Sequence, residues 1–153
     1  MPPALEIYRR FLPNWRRDGA VYFVTWRLER DGPSLTVRER GQVTDVIRHF
    51  EGQRYTLFAY VVMNDHVHVI VQPHRPFRLE TILHSWKAYS TSLFHRETRR
   101  GHGRIWQREY FDRIIRNEEE FDQKVQYILA NPFLRWPGIE QYPWVWCREE
   151  LRE

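Results

Sequence analysis

Cysteine is almost missing from this chain of 153 residues: Cys147 stands alone, so no internal disulfide can form and no thiolate cluster can hold zinc. Lysine is nearly as scarce. Of the 24 basic residues two are lysines, Lys87 and Lys124, and the other 22 are arginines. No apolar run approaches the ~20 residues that a bilayer-spanning helix needs. The opening MPPALEIYRRFLPNWRRDG lacks the apolar middle of a secretory signal, so the expected location is cytoplasmic. Internal repeats and low-complexity tracts are missing too. Hydrophobic residues, in contrast, make up 42% and aromatics 16%, enough to build a real core in a single domain spanning residues 1–153.

The arginines suggest a partner. A guanidinium forks onto phosphate oxygens and stacks on bases, which suits nucleic acid, although GC-rich codon usage yields the same composition. Their distribution favours the first reading. Between residues 75 and 116 nine arginines and Lys87 stand against four acids, Glu80, Glu97, Glu109 and Asp112. Trp86, Tyr89, Trp106, Tyr110 and Phe111 are interleaved with them, a pattern fit for gripping a single strand.

Periodicity predicts a strand over 19–28, a helix over 36–52 and two strands over 55–63 and 66–73 joined at Asn64-Asp65. A long helix over 77–100, a strand over 105–116 and a last helix follow. That helix is capped by Asn117 and is expected to stop at Pro132, leaving an irregular tail from Phe133. The order is β-α-β-β-α-β with an additional C-terminal helix, which predicts an α+β, ferredoxin-like antiparallel sheet with helices on one face. The other face must be covered or used.

Two histidines stand in the strand HVHVIVQP. Side chains alternate along a strand, so Val67, Val69 and Val71 point to the helices, while His66, His68 and Ile70 point away from them. Two imidazoles on one face can converge on a divalent ion, but a pair alone does not decide it. In the last helix Phe121, Val125, Ile128 and Leu129 form the apolar stripe. Tyr127 lies off that stripe, on the face of Glu120, Lys124 and Asn131. It is either a reactive group or a packing residue for the tail, and Asn131 is either a ligand or a C-cap before proline. A phenol is a poor nucleophile at neutral pH and needs a cation or base nearby. A metal held by two histidines and an amide oxygen could polarise a phosphodiester for attack by a tyrosine.

The stretches VYFVTWRL, YVVMNDHVHVIVQP, ILHSWKAYS, GRIWQREYFDRIIRNEEEF and YILANP together resemble the REP-associated tyrosine transposases, a branch of the HUH single-tyrosine superfamily. The resemblance covers residues 14–132. It implies a metal-dependent, nucleoid-associated enzyme that nicks and rejoins single-stranded DNA beside a palindromic hairpin, through a 5′-phosphotyrosine. Tyr127 matches the nucleophile, and His66 and His68 match ligands for Mg²⁺ or Mn²⁺. Asn131 matches the polar residue that completes the shell. The family often has proline before the motif, as in MPNHVH, where this chain has Asn64 and Asp65; the expected effect is a changed turn. Lys87, Arg108, Arg113, Arg116 and the N-terminal Arg16 and Arg17 are candidate DNA contacts, each with a solvated face as its alternative. Gln107 is a candidate neighbour of the site. A monomer is expected, with a dimer as the alternative state. The competing function is a hairpin-binding protein whose chemistry has lapsed.

Overall fold

The first strand forms where β-branched and aromatic residues crowd together, VYFVTWR, and its burial leaves only the last residue exposed. The computed structural model describes residues 13–15 and 18–149. Its elements are β1 (Val21–Arg27), α1 (Val37–Arg48), β2 (Tyr55–Val62), β3 (His66–Pro73), α2 (Leu79–Glu97), β4 (Phe111–Ile115), α3 (Glu118–Arg135) and β5 (Val145–Cys147). The strands make one sheet in the order β4-β1-β3-β2-β5, every neighbouring pair antiparallel. This is the expected α+β arrangement, with one strand more than predicted. Among the described residues no helix is long and apolar enough to cross a membrane.

The alternation of β3 sorts two cores. Val67, Val69 and Val71 join Val24, Trp26, Val43, Ile47 and Trp86 under α1 and α2. Ile70 joins Phe23, Phe121, Val125 and Ile128 under α3 on the opposite face. Trp86 is a core residue. Its indole stacks on Trp26 at 5.6 Å between centroids and donates to the Tyr55 hydroxyl at 3.0 Å.

α1 opens on a capping box, in which Thr36 Oγ1 accepts from Glu39 N–H and the Glu39 carboxylate accepts from Thr36 N–H. α3 opens as expected on Asn117, whose side chain accepts from Glu120 N–H at 2.8 Å. Three glutamates in that first turn complement the positive end of the helix dipole.

Three expectations are corrected. Pro132 does not stop α3, which runs on to Arg135. A proline within a helix loses one N–H hydrogen bond and crowds the preceding turn. Here its ring is buried on the same stripe as Phe121, Val125 and Ile128, and that burial offsets part of the loss. Asn131 is consequently no C-cap; Trp136 is. The tail is not wholly irregular either. Val145–Cys147 add β5 to the edge of β2, and the Tyr142 hydroxyl donates to the Val62 carbonyl at 2.6 Å. Finally, the expected strand over 105–116 is broken. Trp106 bridges Leu28 and β4 starts only at Phe111. Between them the Lys87 ammonium donates to the carbonyls of Gln107 at 2.9 Å and Arg108 at 3.1 Å, groups that a continuous strand would spend on its neighbour.

Candidate active site

The sheet face beneath α3 carries polar residues near one end of β1 and β3. Register places Thr25 beside His68 and Arg27 beside His66, while Phe111 of β4 stands on the other side of Thr25. Directly opposite residues on paired strands share a face, so these side chains form one patch. α3 is seated next to it by its apolar stripe, and Tyr127, off that stripe, is carried over the patch. The Tyr127 ring meets His68 edge-on at 5.3 Å between centroids and Phe23 at 5.9 Å. Phe23 also stacks on His68 at 5.4 Å, so the three rings form one cluster. Tyr127 is 48% exposed, which leaves its hydroxyl accessible to a substrate. A cavity of about 600 Å³ opens here, walled by Thr25, Arg27, His68, Gln107, Lys124 and Tyr127 among others.

The two imidazoles stand 4.7 Å apart, ring to ring. His66 Nδ1 lies 2.6 Å from a carboxylate oxygen of Asp65. A carboxylate only accepts, so Nδ1 carries the proton and Nε2 of the neutral ring keeps its lone pair. His68 Nδ1 lies 2.7 Å from Thr25 Oγ1, and its Nε2 is buried without a hydrogen-bond partner. Burial pushes the His68 pKa down to about 3, and the neighbouring His66, Arg27 and Lys124 add to it. Burial also lowers His66, with Asp65 working against it. Both rings are neutral at physiological pH, the form that ligates metals.

The predicted basic contacts separate. Arg113 is taken up by Glu120, with Nε donating at 2.6 Å, and this pair ties β4 to the first turn of α3. Lys87 is committed to the Gln107 and Arg108 carbonyls. Arg108 and Arg116 are exposed, while Arg16 and Arg17 lie outside the described residues. Asn131, half-buried one turn beyond Tyr127, does not line the tyrosine cavity.

Comparison with known proteins connects this geometry to a family. The model for IS200-like transposases matches residues 20–131, most of the chain and the whole of the patch. The chain belongs to the IS200-like transposase family. Among solved structures it is similar in fold to a REP-associated tyrosine transposase bound to a REP hairpin, with TM-score 0.64 and 22% identity over 88% of this chain and 82% of that one. A putative transposase from Deinococcus radiodurans R1 is similar at TM-score 0.53 and 19% identity, over 72% of this chain and 88% of that one. A comparison with curated proteins found no match.

The transposase's residues fit a divalent metal. When Thr25 Oγ1 accepts from His68 Nδ1, the buried, unsatisfied Nε2 of His68 keeps its lone pair, as Nε2 of His66 does in a ring 4.7 Å away, and two such nitrogens can ligate a divalent ion. Among the described residues no group of three His, Cys, Asp or Glu gathers, so any third donor is of another kind, such as the Asn131 amide or a substrate phosphate. Asp65 has more than the expected turn role. It orients His66 as outer carboxylates orient metal-bound histidines. Asp65→Ala is expected to weaken Mn²⁺ binding about 10- to 100-fold, measured by titration calorimetry without DNA. Unchanged affinity would remove Asp65 from this role.

Sequence reading alone missed Thr25, Phe23 and Arg27 and gave Lys124 only a shared helix face. Their signal is the alternation in VYFVTWR, where Thr25 and Arg27 interrupt an apolar strand on the face opposite Val24 and Trp26. Gln107 does neighbour the site: its side chain donates to Leu28 O at 3.0 Å and it lines the cavity.

Proposed function

We propose that this transposase is a metal-dependent single-stranded DNA endonuclease and strand transferase that cuts beside hairpins formed by repetitive extragenic palindromes. The reading rests chiefly on one observation. A half-exposed tyrosine stands 5.3 Å from the ring of a histidine whose Nε2 is buried and unsatisfied, at the polar end of the sheet face that packs under α3. The hairpin comes from the solved relative, whose structure is bound to a REP hairpin.

His66, His68 and, from α3, Asn131 would hold Mg²⁺ or Mn²⁺, which when bound neutralises charge on the scissile phosphate and on the departing oxygen. The protein's own residues do the rest. Tyr127 Oη attacks phosphorus, forming an O–P bond as the bond to the 3′-oxygen breaks. The phenol proton leaves to solvent, the 3′-oxygen takes up a proton, and the strand remains joined to Tyr127 through its 5′-phosphate. The phosphodiester energy is kept, so attack by a 3′-hydroxyl reverses the step and rejoins DNA. Arg27 and Lys124, which line the cavity, supply fixed positive charge for the phosphate's oxygens.

The test is incubation of wild-type protein with 5′-flanked hairpin oligonucleotides from its own genome. With Mn²⁺ a covalent protein–DNA band is expected on a denaturing gel, and EDTA is expected to abolish it. Hairpin binding that survives EDTA, with no adduct under any metal, would show instead a binding protein whose chemistry has lapsed.

A further inference from the structure

Two grooves border the tyrosine cavity, each sharing one lining residue with it, and their charge differs. One shares Tyr110 with the cavity and mixes Arg75 and Arg78 with Asp18, Glu80 and Asp112. The other shares Gln107. It runs for about 830 Å³ between α2 and the segment 102–108, with no Asp or Glu among its lining residues. Its walls carry Lys87, His95, Arg96, His102, Arg104 and Arg108. The nearby Glu109 lines the tyrosine cavity instead, and Glu97 faces away, accepting from Gln42 at 2.7 Å.

The groove is also held open. Lys87 fixes the backbone at Gln107 and Arg108, at the junction with the cavity. His95 Nε2 donates to the Gly103 carbonyl at 3.2 Å, and its ring lies 5.3 Å from that of His102, which tethers the loop to α2. Arg96, Arg104 and Arg108 are exposed, and none of them makes an ion pair among the described residues. Fixed walls and uncompensated guanidinium groups suit a polyanion of regular shape.

We infer that this acid-free groove takes the phosphate backbone of the duplex stem beside the cleavage site. The inference rests on the proposed function for its substrate and adds the direction the DNA runs. A single strand entering at Tyr127 continues past Gln107 into a duplex lying along α2, not towards the mixed-charge groove at Tyr110. Stem contacts of this kind are to phosphates, so they position the DNA without reading its sequence.

The experiment compares hairpin and stemless oligonucleotides carrying the same single-stranded flank, with binding followed by fluorescence anisotropy over a range of salt. Arg96→Glu/Arg104→Glu/Arg108→Glu is expected to weaken hairpin binding about 100-fold and to flatten the salt slope by about 0.9 for each lost phosphate contact. The ratio of hairpin to stemless affinity should fall about tenfold or more. Arg75→Glu/Arg78→Glu, in the other groove, should shift hairpin affinity by less than about threefold. Arg104→Gln alone guards against misfolding of the triple variant, and a slope reduced by about 0.9 is expected. An unchanged slope in Arg104→Gln with unchanged hairpin affinity in the triple variant would overturn the inference, as would an equal loss in Arg75→Glu/Arg78→Glu. Failure of the chemistry is seen separately: wild-type protein that binds hairpins through this groove and forms no adduct refutes the proposed reaction and leaves the groove's role standing.

Discussion

Tyr127→Phe is expected to abolish the covalent protein–DNA adduct, lowering its rate of formation at least about a thousand-fold while the protein stays folded and bound to its hairpin. The substitution removes one oxygen. The ring that meets His68 edge-on and packs by Phe23 and Lys124 remains, so the helix and the patch keep their packing. Tyr127 is half-exposed and, among the described residues, no hydrogen bond to its hydroxyl holds the fold, so the loss falls on reactivity. The measurement pairs a time course on denaturing gels with hairpin affinity, which should change by less than about twofold. A Tyr127→Phe protein that cleaves at the wild-type rate would move the nucleophile elsewhere.

Arg100→Ala is expected to cost about 3–5 kcal/mol of stability, because it leaves Glu39 charged and without its main partner in the interior. Glu39 is 2% exposed, and Arg100 Nε donates to it at 2.8 Å. Thr98 Oγ1 and Thr36 N–H donate to it as well. This cluster pins the end of α2 to the beginning of α1 and so underlies the helical face of the sheet. Burial pushes the Glu39 carboxyl up, but the hydrogen bonds from Arg100, Thr36 and Thr98, with the Arg100 charge, together hold it below the ordinary carboxylate range. A depressed folded-state pKa stabilises the protein above the unfolded value, and that contribution is lost as pH falls through the folded one. Urea denaturation should therefore show wild-type stability falling in acid, with part of that dependence missing in Arg100→Ala. A variant within about 0.5 kcal/mol of wild type would show that the cluster is dispensable.

The features legible in the sequence are those set by local periodicity. The alternation HVHVIVQP sorted valines from histidines because a strand buried on both faces still obeys period two. The stripe of α3 set Tyr127 aside for the same kind of reason, and Asn117 announced its cap. What escaped depends on partners distant in the chain. Nothing in the spacing of Thr25 and His68 states that they are in register, yet their hydrogen bond spans 43 positions. For Lys87, a candidate phosphate contact with a solvated face as its alternative, the two carbonyl partners were not legible because they belong to a loop whose path the sequence does not specify. For Arg113, a candidate of the same kind, the partner Glu120 seven residues on was not legible either. Pro132 misled because a local rule against proline in helices was outweighed by burial of its ring. Asp65 was taken for a turn residue because its second role depends on the rotamer it shares with the next side chain, His66.

The most direct test of the account is to map the adduct. Protein reacted with a flanked hairpin oligonucleotide and Mn²⁺ is digested with protease and nuclease, and the modified peptide is sequenced by tandem mass spectrometry. The account predicts a nucleotide joined through its 5′-phosphate to Tyr127, in the peptide containing VQYILANP. A phosphate bond on any other residue, or a free 5′-phosphate with no modified peptide, would contradict it.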